Sequence, residues 1–222
     1  MENSIFYQLR KNAGSIWNDY INHPFVKTLG CGTLPKESFK YYLIQDYLFL
    51  IQFGRAYALA VYKSENLEDM RSAAAAMDNI INFEIQLHIE FCNGWGISLD
   101  DLTKMNEDLA TTAYTRFVMD CGNRGDLLDL MTALAPCVIG YAEIGRNLAL
   151  IPQSGQENPY KNWIKMYSGN EYQKVSQNAT HQLQVIFKKR GGSGRYTSLC
   201  SVFNQATRME SEFWEMAWNH TN

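Results

Sequence analysis

Residues 133–141 read Ala133-Leu134-Ala135-Pro136-Cys137-Val138-Ile139-Gly140-Tyr141, inside an apolar run that extends over 126–150. The run has helical spacing, yet it contains a proline, which removes one backbone hydrogen bond and clashes with the carbonyl a turn earlier. That costs roughly 3 kcal/mol, which packing can offset, so the stretch predicts a kinked helix in a helical core. Cys137 and Tyr141 are four apart and share a face of this helix, with Gly140 leaving space beside them. A buried structural cysteine and a catalytic thiol both fit these residues.

The segments on either side repeat the helical period. Ile5, Leu9, Ala13, Ile16, Trp17 and Tyr20 put one apolar face on a helix over 4–22. His23-Pro24 ends it, because the residue before proline is pushed out of helical geometry. Gly30, Gly32 and Thr33-Leu34-Pro35 make a short connection to a helix that reaches about residue 63. This helix is apolar on nearly every side, so it is predicted to be central, and its polar insertions are informative. Asp46 shares a face with Tyr42, Phe49 and Phe53, and a carboxylate there needs a partner or a ligand with donors. A structural pair with Arg55 and a ligand-binding role both remain open.

Asn66 caps the next helix, over 67–93, which Gly94 closes. Within it Glu84 and His88 stand four apart. The histidines of the chain (His23, His88, His181, His220) do not form the paired Glu-x-x-His set of a di-iron bundle, so His88 reads as a satisfied core or helix-end residue. Ser98-Leu99-Asp100-Asp101 opens a short helix, and Asn106 starts one that carries Tyr114 and ends near Gly122. Asn158-Pro159 starts a helix with Trp163 and Tyr167 one turn apart, followed by an amphipathic helix over 171–190. Gly191-Gly192-Ser193-Gly194 follows a helix and lacks a Gly-Lys-Ser/Thr ending, so it is a turn and not a phosphate loop. The last helix, over 196–218, carries Glu210 with Phe213 and Trp214 at the next turn. No segment alternates with period two. The expected fold is a single all-α domain over 1–222, a bundle of about eight helices.

Composition narrows the function. A formal net charge of −3 with no basic run argues against nucleic acid as the main partner. The start of the chain lacks the basic and apolar regions of a signal peptide, and the apolar run over 41–62 is broken by Gln45, Asp46, Gln52 and Arg55, so no membrane span is expected. Cys31, Cys92, Cys121, Cys137 and Cys200 are widely spaced and include no Cys-x-x-Cys pair. That usage fits reduced thiols in a cytoplasmic protein, with neither a disulfide framework nor a metal site.

Four separated stretches agree on one family. Ser38-Phe39-Lys40-Tyr41-Tyr42-Leu43-Ile44-Gln45-Asp46-Tyr47, the Ala-Pro-Cys run through Tyr141, Asn158-Pro159-Tyr160 with Trp163 and Tyr167, and Glu210 through Phe213-Trp214-Glu215-Met216-Ala217 resemble the TenA family, also called thiaminase II. The wording is especially close to the TenA-like domains of yeasts. The resemblance implies a haem-oxygenase-like bundle, commonly a homotetramer, without metal or cofactor. It implies hydrolysis of 4-amino-5-aminomethyl-2-methylpyrimidine to the 5-hydroxymethyl compound and ammonia, and cleavage of thiamin between pyrimidine and thiazolium. Carried over by position, the nucleophile matches Cys137, the acid Glu210, and the carboxylate on the pyrimidine edge Asp46. Tyr114, Tyr141 and Tyr167 match tyrosines around the ring and thiol. Phe49 stands where the bacterial pattern has a tyrosine, so it can stack but cannot hydrogen-bond.

The chemistry suits these residue types. A thiolate can add to an electron-poor aminopyrimidine if an acid protonates the ring nitrogen that gains charge. A carboxyl group among aromatic rings tends to stay protonated, which suits Glu210, whereas Asp46 is expected to remain ionised. Two other classes compete. A haem protein would need an axial ligand, for which His23 before Pro24 is poorly placed. A non-catalytic pyrimidine-binding or regulatory module would need neither Cys137 nor Glu210.

Overall fold

The computed structural model describes residues 4–155, 157–192 and 194–220. Met1, Glu2 and Asn3 of the expected leader-free start, and Ser193 of the glycine-rich turn, lie outside the described residues. In chain order the α-helices are α1 Ile5–Ala13, α2 Ser15–Ile21, α3 Pro24–Cys31, α4 Lys36–Lys63, α5 Leu67–Asn79 and α6 Ile85–Gly94. They continue with α7 Leu99–Lys104, α8 Leu109–Arg124, α9 Leu127–Ala149, α10 Lys161–Ser168, α11 Asn170–Arg190 and α12 Tyr196–Trp218. A π-helical turn, Ile80–Glu84, joins α5 to α6, and no strand occurs among the described residues. The fold class is all-α, as expected.

The division is finer than hydrophobic periodicity shows, for local reasons. Gly14 adopts φ +53°, which breaks the first expected helix into α1 and α2. The stretch after Pro24 is itself helical: Pro24 occupies the first turn, and His23 Nδ1 accepts the Phe25 N–H at 3.2 Å. Gly32, at φ +74°, closes α3 in the left-handed conformation. Other boundaries follow their predicted caps. Asn66 accepts the Asp69 N–H at 2.9 Å, and Ser98 and Asp101 form a reciprocal capping box at 3.1 and 2.9 Å.

The chain folds as two compact bodies, one of Met1–Leu34 with Met131–Glu215, the other of Pro35–Leu130 with Met216–Asn222. The core of the first body is a run of rings. Phe6 meets Trp17 edge-on, Trp17 stacks on Phe203 at 5.6 Å, and Phe25 stacks on Trp214 at 5.0 Å. The second body is built on α4, whose Phe39, Tyr42, Leu43, Phe49, Phe53 and Ala60 are buried. Helix α9 is long and apolar enough to cross a membrane by length and composition, but 78% of its most apolar window is buried within the protein. It therefore reads as a core helix.

Candidate functional site

In the first body, α9 stays helical through Pro136, whose flanking residues Ala135 and Val138 are buried. Cys137 is the exception on this turn, a half-buried residue among buried neighbours. Two glycines on the same helix let neighbouring elements lie directly on α9. A methyl group at Gly140 would lie 2.6 Å from the Tyr20 hydroxyl oxygen, which donates to the Pro136 carbonyl at 3.4 Å. A methyl at Gly145 would lie 2.5 Å from the Tyr167 carbonyl carbon and 2.7 Å from the Ser168 nitrogen. The missing side chain at Gly145 thus lets the end of α10 lie directly on α9. Tyr167 is thereby set 4.9 Å from Tyr141, ring to ring. Trp163 lies 4.5 Å from Tyr167, and Trp214 lies 5.2 Å from Tyr141. Glu210, one turn before Trp214 on α12, is buried, with 1% of its surface exposed.

The motif Asn158-Pro159-Tyr160 has a positioning role. The Asn158 Nδ2 donates to the Leu29 and Gly30 carbonyls at 3.0 and 2.9 Å, while its Oδ1 accepts the Tyr160 N–H at 2.8 Å. The Tyr160 hydroxyl donates to the Leu34 carbonyl. These bonds tie the start of α10 to the end of α3.

In the second body, Phe49 packs against Tyr114 at 5.1 Å and against Phe53 at 5.6 Å. Gln45 sets this pairing. Its Oε1 accepts the Asp108 N–H at 2.9 Å and the Thr111 hydroxyl at 2.7 Å, and its Nε2 donates to the Asn106 carbonyl at 3.1 Å. It therefore fixes the first turn of α8, two turns of which lead to buried Tyr114.

Asp46 is buried, and its Oδ2 accepts the Tyr42 hydroxyl at 3.2 Å. Arg55 does not pair with it; the exposed Arg55 guanidinium donates to Gln52 at 3.0 Å. The neighbour on the far side is His88, whose Nδ1 lies 3.5 Å from Asp46 Oδ2. Burial pushes Asp46 up to about 7, against the pull of the Tyr42 hydroxyl. Burial with no cation beside it among the described residues thus works against the ionised form expected of Asp46. Glu84, on the π-helical turn, is pushed up to about 7 by burial and then by Asp46. Burial pushes His88 down to about 4, although its Nε2 bonds the Leu43 carbonyl at 2.8 Å.

The structure thus brings Cys137, Tyr141, Tyr167 and Glu210 into the first body, and Asp46, Phe49 and Tyr114 into the second. Periodicity missed Gln45, Gly145, Glu84 and the Asp46-directed face of His88. A polar residue in an otherwise apolar helix was the available signal for Gln45. His23 is a satisfied cap: with Nδ1 accepting from Phe25, its Nε2–H donates to Glu215 at 2.9 Å. Neither nitrogen is left for an axial bond. Among the described residues no group of three or more His, Cys, Asp or Glu is arranged to hold a metal ion.

These features define an all-α protein with a haem-oxygenase-like fold. A protein from Shewanella denitrificans described with that fold superposes with a TM-score of 0.71 at 14% identity, covering 96% of this chain and 91% of its own. The chain belongs to the TENA/THI-4/PQQC family, whose model matches residues 10–220. A Silicibacter protein described as a TenA family transcription regulator superposes with a TM-score of 0.92 at 42% identity, covering 97% and 96% of the two chains. The aminopyrimidine aminohydrolase of Halalkalibacterium halodurans is 35% identical over 95% of this chain and 94% of its own. A putative hydroxymethylpyrimidine/phosphomethylpyrimidine kinase of Schizosaccharomyces pombe is 37% identical over 90% of this chain but only 36% of its own length.

Proposed function

We propose that the protein is an aminopyrimidine aminohydrolase of the thiaminase II type, acting in thiamin salvage or degradation. The observation that carries this reading is Cys137, half-buried on an otherwise buried turn of a helix whose glycines admit Tyr20 and Tyr167. A structural cysteine in such a helix would be buried with its neighbours. The likeness to a named aminopyrimidine aminohydrolase over nearly the full length supports it.

In this mechanism the Cys137 thiolate adds to C6 of the pyrimidine, and Glu210 delivers a proton to the ring nitrogen that gains charge. The resulting enamine expels ammonia, or thiazole in the case of thiamin, from the C5 methylene. Water adds to that carbon, a proton returns to the acid, and the thiolate leaves to restore the ring. Asp46 accepts from the exocyclic amine, while Phe49, Tyr114, Tyr141 and Tyr167 hold the ring. No step calls for a metal or cofactor.

The reading extends to a homotetramer in the cytoplasm. No described cysteine is joined in a disulfide, and exposed Ile81, Phe83 and Leu87 give the second body apolar surface of the kind that subunit contacts cover. Light scattering on the purified protein tests the assembly. The activity is tested by incubation with the aminomethyl pyrimidine and with thiamin, following release of the hydroxymethyl product. Binding without release would identify a non-catalytic pyrimidine-binding module instead.

A further inference from the structure

We propose that His88 is a positioning residue that keeps Asp46 in its acid form, so that this carboxyl can meet both hydrogen-bonding groups on the edge of a 4-aminopyrimidine. The inference rests on Asp46 holding that edge, as in the proposed function. The edge presents an exocyclic N–H donor beside a ring nitrogen that accepts. An ionised carboxylate satisfies the donor but sets an oxygen lone pair against the ring nitrogen. A carboxylic acid satisfies both, accepting with one oxygen and donating with the other.

The surroundings of Asp46 are built to retain that proton. His88 Nε2 lies 2.8 Å from the Leu43 carbonyl, which can only accept, so Nε2 carries the hydrogen. In the neutral ring Nδ1 is then a bare acceptor, 3.5 Å from Asp46 Oδ2. A bare ring nitrogen at that distance offers the carboxylate no donor, which favours the acid over the anion. Glu84 adds a second carboxyl from the π-helical turn, and the Cys92 thiol, raised to about 12, supplies no compensating charge. Tyr42 is the one donor to Asp46 among the described residues, and of the cations on α4, Lys40 pairs with Glu37 and Arg55 is turned to Gln52. Asp46 Oδ1 has no hydrogen-bond partner among the described residues, which leaves it open to a ligand.

The test is calorimetric titration of the hydroxymethyl pyrimidine between pH 5 and 8 on wild type, His88→Asn, Glu84→Gln and Asp46→Ala. The amide that His88→Asn introduces near the Nδ1 position can donate to Asp46 and so favours its anion. If Asp46 falls by one unit from about 7, its acid fraction at pH 7 drops from about one half to about one eleventh. Affinity at pH 7 should then weaken about fivefold and return to the wild-type value at pH 5, and Glu84→Gln should move the profile in the same direction. The ligand's own titration is common to every variant and cancels in the ratio to wild type. A uniform loss that acid does not restore in His88→Asn, with an unmoved profile in Glu84→Gln, would overturn the role of His88. Wild-type affinity in Asp46→Ala would instead overturn the placement of Asp46 on the pyrimidine edge.

Discussion

Gly145→Ala sets two physical effects of opposite sign against each other. Within a helix, replacing glycine by alanine removes unfolded-state freedom and stabilises by about 0.5–1 kcal/mol. Here the added methyl would lie 2.5 Å from the Tyr167 carbonyl carbon and 2.7 Å from the Ser168 nitrogen. Those atoms are backbone and cannot rotate away, so α9 and the end of α10 must separate. Overpacking of a well-filled core costs typically 1–3 kcal/mol. The net expectation is a loss of about 1–2 kcal/mol, or a Tm lower by roughly 2–8 °C for a chain of this size. The displacement also moves Tyr167 away from its 4.9 Å contact with Tyr141, so turnover should fall more than stability alone explains. Thermal unfolding together with product release at a temperature where both proteins are folded would measure each part. A Gly145→Ala protein that melts higher than wild type would show that propensity outweighs the close approach and refute the reasoning.

Cys137→Ser should fold and bind pyrimidine but lose nearly all turnover, since a hydroxyl without a base is a poor nucleophile; full activity in the release assay would exclude the covalent route. Glu210→Gln should lower kcat by on the order of 10²–10⁴ with little change in affinity, because proton delivery contributes chiefly in the transition state. Steady-state kinetics would reveal a reversed role if KM rose while kcat held. Phe49→Tyr should leave KM nearly unchanged while Phe49→Ala raises it strongly, since the position works through its ring contact with Tyr114 at 5.1 Å. Equal KM values for Phe49→Ala and wild type would remove this residue from the ring-binding set.

The helical class, the central α4 and the caps at Asn66 and Ser98 were legible because they depend on spacing and on residues within a turn of one another. The helix that follows Pro24 was not, since its cap is the His23 ring and its stop is Gly32, and neither leaves a periodic trace. The division of the long helix after Asn66 by a π-helical turn was equally invisible, because one extra residue per turn barely disturbs an apolar pattern. Cys137 and Glu210 stood out as chemical groups misplaced on apolar faces. Gln45 did too, but its partners are the Asp108 N–H and the Thr111 hydroxyl, 63 and 66 residues away, a relation that no local pattern encodes. His88 was read correctly as a satisfied core residue through its bond to Leu43. Its second nitrogen carries the added information, and only the packing of α6 on α4 reveals where that nitrogen points.

Asp46 also makes stability depend on pH. Its carboxyl lies at about 7 in the folded chain against an ordinary value of 3.8, so the folded state binds more protons than the unfolded state between these limits. Stability from this group is therefore intact below pH 3.8 and is lost as pH rises through 7. At about 1.4 kcal/mol per unit, the penalty is at most about 4 kcal/mol at pH 8 and under about 2 kcal/mol at pH 5. Asp46→Asn removes the titration while keeping the shape. Its oxygen can take the Oδ2 place and accept from Tyr42, with the amide nitrogen in the Oδ1 place, so the Tyr42 hydroxyl keeps its partner. The variant should be more stable than wild type at pH 8 by up to that amount, and the gap should shrink by more than half at pH 5. Its pyrimidine affinity should lose the pH dependence of the wild type, because the amide offers one acceptor and one donor at every pH. Urea midpoints at the two pH values, combined with product titration, separate the effects. If Asp46→Asn were less stable than wild type at pH 8, the buried acid would be held by contacts that outweigh its desolvation, and the carboxyl would be structural.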